Sequence, residues 1–235
     1  MSCITMFYRA CLLLRRALPG PWLVLLAFFG LPGQLWATSA GEWRLETSKE
    51  GIRVYSRMPA GTRFKEIKVQ CEMPGTLEQF VALYSDVANY RTVISNTRTA
   101  YRLRTVSETE FYYYMESQMP AMVANRDLVM RLQFAYAPQT RTLRINTTGV
   151  DGLVPPKPGI VRVPYWTGDW QVCAVAANRL RIIYYLRVDP GGALPAWLVN
   201  RLAPAAPYQS FRQLRSSLQL PRYQGQHFAF LTPDS

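Results

Sequence analysis

The stretch Asp189-Pro-Gly-Gly-Ala-Leu-Pro-Ala-Trp-Leu-Val-Asn200 marks the point where the chain changes its hydrophobic period. Ahead of it, Leu180, Ile182, Tyr184, Leu186 and Val188 alternate against Arg181 and Arg187, the two-residue rhythm of a half-buried strand. Pro190 and the glycine pair stop that strand. Pro195 suits the first turn of a helix that begins with Ala196 to Leu202. Pro204 and Pro207 break or kink this helix, and beyond them Phe211, Leu214 and Leu218 hold one apolar stripe. A last strand followed by a helix with one apolar face is what a sheet with one uncovered side requires.

Working back toward the N-terminus, the strand rhythm recurs. Gly51 to Arg57 alternates, Met58 to Gly61 is a turn, and Arg63 to Met73 alternates again with Ile67, Val69, Cys71 and Met73 on one face. Glu42 to Thr47 reads as a short helix or an extended lead-in. Thr76 with Gln79 forms a capping box, and Leu77, Phe80, Val81, Tyr84 and Val87 follow at helical spacing, predicting one helix from about 76 to 88. Strands are predicted over Thr97–Arg104, Glu110–Gln118, Asp127–Tyr136, Thr140–Thr147, Gly159–Pro164, Gly168–Val175 and Arg179–Val188. In the third of these, Leu128, Met130, Leu132, Phe134 and Tyr136 face one way. One apolar and one wet face over many consecutive strands is the mark of an antiparallel sheet covered on one side. No internal boundary interrupts it. The expectation is one α+β domain, a long antiparallel sheet gripped by a C-terminal helix, with a loose polar tail at 223–235.

The first forty residues stand apart. They hold Arg9, Arg15 and Arg16, no acidic residue, the apolar run Trp22 to Phe29, and small residues around Ala37 and Ala40. That order is a secretory signal peptide over 1–40, and the run is too short for a spanning helix of about 20 residues. Cleavage leaves about 195 residues, one domain with room for a substantial core. The rest, 41–222, is that domain. Export places it in the periplasm or outside the cell.

Of 235 residues, 49% are hydrophobic and 13% aromatic, which excludes a disordered chain. The chain carries 27 basic and 15 acidic residues, net +12; without the three leader arginines the balance is 24 to 15, or +9. Such a domain suits anionic surfaces. Its arginines are scattered singly along strands, which favours dispersed solvated charge and gives no basic cluster for nucleic acid. Cys3 and Cys11 leave with the leader, so only Cys71 and Cys173 remain. Their side-chain phases differ, favouring two free thiols over a bridge.

The inventory for catalysis is thin. The single His is His227, in the tail, which removes Ser-His and Cys-His nucleophiles and His-based metal sites. No Gly-rich phosphate loop surrounds Gly191-Gly192. Glu108, Glu110 and Asp127 read as turn acids or local ion-pair partners. No cofactor is expected, and binding is favoured over chemistry.

Trp43, Gly51-Ile-Arg-Val-Tyr55, Asn125-Arg-Asp-Leu-Val129, Gly159-Ile-Val-Arg162, Trp170 and the 189–200 stretch occur together in an order that resembles START domains, the lipid-binding helix-grip modules. The resemblance covers about residues 42 to 220. It implies a curved antiparallel sheet wrapped around a long C-terminal helix, with an apolar tunnel beneath that helix for one lipid. Tyr113, Met115, Met130, Leu132, Tyr184, Leu186, Trp197 and Phe211 are then expected to line the tunnel. In phosphatidylcholine-carrying members a Tyr and an Arg hold the phosphate; Tyr84 and Arg91 stand in the matching contexts, with one extra residue between them. Sterol-carrying members have an inward Arg where this sequence has Leu132, which speaks against a sterol bound in their manner.

Three functions follow. The first is an exported monomeric carrier that holds a lipid or other hydrophobic small molecule and touches membranes transiently. The second is a helix-grip enzyme, cyclase-like or hydrolase-like, acting on a hydrophobic small molecule, which a buried carboxylate, or a Tyr and an Arg converging on one bound carbonyl, would favour. The third is an interaction protein whose groove is filled by its own side chains, which a cavity below about 300 Å³ would favour. Loops Ala137–Arg141 and Val150–Gly159, with the Pro204–Pro207 kink, are expected at the tunnel mouth, Leu153 and Val154 meeting the bilayer.

Overall fold

The computed structural model describes residues 41–120 and 122–232. The proposed leader, with Cys3 and Cys11, lies outside them, as does 233–235.

The alternating segments form strands β1 (Arg44–Lys49), β2 (Ile52–Arg57) and β3 (Glu66–Met73). Helices α1 (Leu77–Ser85) and α2 (Tyr90–Val93) follow. Seven further strands come next: β4 (Thr97–Ser107), β5 (Glu110–Ser117), β6 (Asn125–Ala137), β7 (Thr142–Gly149), β8 (Ile160–Arg162), β9 (Tyr165–Ala176) and β10 (Arg179–Asp189). Helices α3 (Ala196–Leu202) and α4 (Ala205–Ser217) follow, and 3-10 turns over Pro221–Tyr223 and Ala229–Leu231 come after them. Of the two readings of Glu42 to Thr47 the extended one holds: strand begins at Arg44.

All ten strands join one sheet in the order β1-β2-β3-β10-β9-β7-β6-β5-β4, with β8 beside β6. After β3 the chain crosses by α1 and α2 to the far edge, then returns strand by strand until β10 pairs with β3, Tyr184 opposite Val69. The ladder is antiparallel throughout except at β8, which runs parallel to β6. Arg162 holds this short strand by donating from Nε and Nη2 to the two oxygens of buried Asp127, at 2.7 and 3.1 Å.

The core lies on one face. Ile67, Val69, Met130, Ile145, Trp170, Ile182 and Tyr184 from the strands meet Phe80 and Leu83 of α1 and Phe211 and Leu214 of α4. The capping box at Thr76 forms as expected: its side chain accepts from the Gln79 amide and the Gln79 side chain accepts from the Thr76 amide. The helix ends sooner than its periodicity suggests, because the backbone at Asp86 leaves the helical region (φ −87°, ψ 62°). A 3-10 turn over Val87–Asn89 then leads into α2.

The 189–200 stretch acts as a hinge bracket. Gly191 and Gly192 both take positive φ (65° and 69°), a conformation side chains rarely adopt. A Cβ on Gly191 would also stand 2.9 Å from Pro164 Cδ. Asp189 Oδ1 accepts from the Gly191 amide at 2.9 Å, closing the turn. Asn200 then ties α3 to the β2–β3 loop: its Oδ1 accepts from the Lys65 amide (2.9 Å) and its Nδ2 donates to the Arg63 carbonyl (3.0 Å). The expected single long C-terminal helix is divided into α3 and α4 at Ala203–Pro204, where proline removes a backbone donor.

The tail reading needs correcting over 223–232. Tyr223 and Leu231 are buried, and Phe228 and Phe230 pack against the core. The Tyr223 hydroxyl donates to Asp86 Oδ2 at 2.9 Å, and the Gln79 side chain donates to Gln224. These aromatics are spaced too irregularly to announce a helix or strand.

The two cysteines among the described residues, Cys71 and Cys173, are free thiols. Cys71 faces the core from β3, while Cys173 is half-buried on β9. Burial pushes the Cys71 thiol up to about 12, so at neutral pH it stays protonated and unreactive. Peptide mapping after brief iodoacetamide treatment of the native protein is expected to show Cys173 alkylated and Cys71 intact, with Cys71 reacting only after denaturation.

Candidate functional site

Beneath α3 and α4 the core does not close. A cavity of about 340 Å³ remains, bounded by β3, β5, β6, β9 and β10, by the 93–96 and 117–119 segments, and by the inner stripe Val199, Ala203, Pro207, Ser210, Phe211 and Leu214. Its aromatic wall is built by strand register. Tyr184 on β10 lies opposite Trp170 on β9, and their rings stack with centroids 3.9 Å apart. Phe211 of α4 stacks on Trp170 at 5.2 Å, and Tyr84 of α1 meets it edge-on at 5.0 Å.

One glycine sets how deep the wall sits. Gly168 of β9 faces Leu186 and Thr147 across the sheet. A Cβ there would stand 2.5 Å from Thr147 Oγ1 and 3.1 Å from the Tyr184 hydroxyl. Thr147 donates to the Gly168 carbonyl (3.2 Å) and accepts from Trp166 Nε1 (3.3 Å), so this corner is held on both sides.

The polar groups of the lining are neutral apart from Lys65. Tyr84, Tyr113 and Tyr184 place three phenols at the cavity. Burial raises the pKa of each, and for Tyr84 the neighbouring Tyr184 adds to the shift, so all remain protonated. Tyr113 donates only weakly, to Met130 Sδ at 3.9 Å. Among the described residues the lining includes no Asp, Glu, His, Cys or Arg. Its one charged residue, Lys65, gives its ammonium to Glu46 at 2.8 Å. Such a surface can solvate an alkyl chain and offer a hydroxyl to one polar group of a guest.

Of the residues expected at the tunnel, Tyr84, Tyr113, Met115, Met130, Tyr184, Leu186 and Phe211 are brought together here. Three are not. Arg91 is exposed on α2, whose buried side carries Tyr90 and Val93, so it does not converge with Tyr84. Trp197 is 67% exposed because Val199 and Ala203 take the inner side of the kinked helix. Leu132 is packed solid in the core outside the cavity lining. The two loops expected at the mouth contribute nothing to the lining. Residues 150–159 instead reach the outer sheet surface, where the Val154 carbonyl accepts from Arg162 and Lys157 lies over the Tyr114 ring at 3.9 Å. Trp166, Trp170, Thr147, Ser95 and Ser210 line the cavity without having been marked as site residues. Only Trp170 carried a signal, its place among the START-like positions.

The model of the START domain family matches residues 34–223. This chain belongs to the START domain family. The START domain here is 25% identical over 196 residues to an uncharacterized protein of Pseudomonas aeruginosa, covering 82% of this chain and 93% of that one. It is 23% identical over 168 residues to the bovine phosphatidylcholine transfer protein, covering 70% and 78%. Among solved structures, a STAR-related lipid transfer protein fragment from Xanthomonas axonopodis matches with a TM-score of 0.70 and 26% identity, over 76% of this chain and 99% of that one. The fold is therefore the expected α+β helix-grip type, its sheet wrapped around the C-terminal helix pair.

Proposed function

We propose that this START domain binds one amphiphilic lipid in the cavity under α4 and carries it between membranes, without chemical change. The observation that carries this is the pairing of an apolar, aromatic-walled cavity with a lining that holds three neutral phenols and no carboxylate, imidazole or thiol. A hydrolase or cyclase needs a base or an acid within reach of the bound molecule; the phenols of the lining are held protonated, and its one ammonium, on Lys65, is taken up by Glu46. At about 340 Å³ the cavity exceeds the lower bound for ligand pockets, which favours a carrier over a filled interaction surface. That volume lies at the small end of the roughly 300–1,000 Å³ usual for ligand pockets, which favours a single-chain guest over a two-chain lipid. Native mass spectrometry of protein purified from its own host, with extraction of what co-purifies, tests this; an empty protein that also takes up no amphiphile removes it.

We propose further that the domain acts after export, as a monomer, the leader being removed near Ala37 or Ala40. N-terminal sequencing of the protein from the periplasm or medium checks this. The membrane contact is assigned to α3, whose outer side bears Trp197 and Leu202, both strongly exposed, next to Arg201. Apolar side chains beside a cation suit an anionic interface. Trp197→Asp with Leu202→Asp is expected to slow transfer between anionic vesicles about tenfold while binding in solution is kept. Unchanged transfer would move the contact elsewhere, with Leu153→Asp and Val154→Asp testing the 150–159 loop.

A further inference from the structure

Arg126 is the one charged residue on the inner face of β6, in phase with Leu128, Met130, Leu132 and Phe134. It is only 5% exposed. It stands one layer behind the cavity lining, whose nearest members are Met130 on its own strand, its cross-strand partner Ser117, and Pro190, the residue before Gly191. The guanidinium sits below the glycine turn, with Nη2 3.4 Å from where a Gly192 Cβ would stand.

Its bonding is incomplete on one edge. Nη1 donates to the Ala124 carbonyl at 2.5 Å. Nη2 reaches the Gly191 carbonyl only at 3.4 Å. Nε is buried with no partner among the described residues. Nor does any described carboxylate lie within 4.0 Å of the group. Arg162 and Arg131 show what the same edge does when satisfied: each turns Nε and Nη2 onto the two oxygens of one carboxylate, at 2.7 and 3.1 Å and at 2.8 and 2.9 Å. A guanidinium cannot shed its charge at physiological pH. Keeping one buried with its two-pronged edge unfilled is costly unless something charged arrives to fill it.

We infer that the Nε–Nη2 edge of Arg126 anchors the anionic head of a single-chain amphiphile, a carboxylate or phosphate monoester, whose tail lies along Tyr113, Met130 and Trp170. This rests on the carrier reading above and adds the charge of the guest. An anion at that edge gains two charge-assisted bonds in a place shielded from water. A neutral head gains at most one ordinary bond.

The test uses the full chain, stripped of lipid, with binding followed by tryptophan fluorescence, since Trp166 and Trp170 line the cavity. The probes are lauric acid, lauryl phosphate, lauryl alcohol and inorganic phosphate. The acid and the phosphate ester are expected to bind at least about tenfold tighter than the alcohol. On acidification to about pH 4, where a carboxyl takes up its proton, lauric acid is expected to lose its advantage while lauryl phosphate keeps it. That comparison needs no variant. Arg126→Met is expected to erase the gap by weakening the two anions alone, and Arg126→Lys to keep part of it. Equal affinities for all three lauryl compounds in the wild type overturn the anchor and leave the carrier standing, as does an equal loss for all three in Arg126→Met. Inorganic phosphate competing as well as lauryl phosphate overturns the amphiphile as guest. If no lauryl compound binds, the carrier reading falls and the anchor with it.

Discussion

Gly168→Val is expected to abolish lipid binding while leaving a folded protein. The reason is local and steric. The first added carbon already lands 2.5 Å from Thr147 Oγ1 and 3.1 Å from the Tyr184 hydroxyl. Thr147 cannot swing aside freely, because it is bonded to the Gly168 carbonyl and to Trp166. Tyr184 has to give way instead. Its ring is stacked on Trp170, which is stacked in turn on Phe211, so the direction left to it is into the cavity. A ring pushed into about 340 Å³ takes a large share of the space a medium chain would use. Gly168→Ala is expected to cost about 1–3 kcal/mol of stability and to weaken binding measurably. The valine variant is expected to weaken it at least about a hundredfold, which corresponds to roughly 2.8 kcal/mol. Circular dichroism at room temperature separates this from unfolding, and titration with lauryl alcohol reads the loss without invoking charge. Wild-type affinity in Gly168→Val would mean that the guest does not lie against Tyr184.

The strands and the terminal helices were legible because each carries its own period. The inner row Leu180, Ile182, Tyr184 and Leu186 alternates cleanly against arginines, and Phe211, Leu214 and Leu218 repeat at helical spacing. These patterns are local, and burial on one side is enough to produce them. The site was legible to the same extent: whichever inward residues lay midway along the central strands reached the cavity. What periodicity lacks is depth. Leu132 and Met130 share a face and a strand, yet one is sealed in the core and the other borders empty space. What stands opposite each is fixed by register, Thr147 across from Leu132 and Gly149 across from Met130, and a single strand's period does not carry it. Trp197 and Arg91 failed for other reasons. Trp197 belongs to the short α3, whose inner side Val199 and Ala203 take, and Arg91 rests on the resemblance alone, whose spacing it misses by one residue, on a helix that buries Tyr90 and Val93 instead. Residues 223–232 gave no warning at all, since Tyr223 and Leu231 are buried by contacts with distant elements and no repeat in the sequence.

Joining α4 to the rim of the sheet by a disulfide is expected to stop lipid exchange. Ser210 of α4 and Ser95, between α2 and β4, both line the cavity and face each other with their hydroxyl oxygens 2.7 Å apart. The seam is reinforced by the Ser95 amide, which donates to Ser210 Oγ, and by the Ser95 hydroxyl, which donates to the Ala206 carbonyl, each at 3.2 Å. These are partly exposed, ordinary hydrogen bonds, each worth about 1 kcal/mol, so they can open on the timescale of a carrier. A covalent bond cannot. Oxygens at that separation stand near where two sulfurs, about 2.05 Å apart when bonded, would meet. In Ser95→Cys/Ser210→Cys, Cys71 is buried and Cys173 lies on β9 facing away from the core, so neither native thiol competes for the pair. The oxidised double variant is expected to transfer lipid between vesicles at least about tenfold more slowly, with full speed returning on reduction, because opening the roof then sets the rate. Each single variant should behave as the parent. Asn200→Ala, which frees α3 from Arg63 and Lys65 without touching the seam, should change the rate far less than the cross-link if α4 is the moving part. Equal transfer by the oxidised and reduced forms would mean that the guest passes between α3 and the β2–β3 loop, with α4 as a fixed wall. In that case Asn200 becomes the latch, and its removal should speed exchange in the cross-linked protein as well.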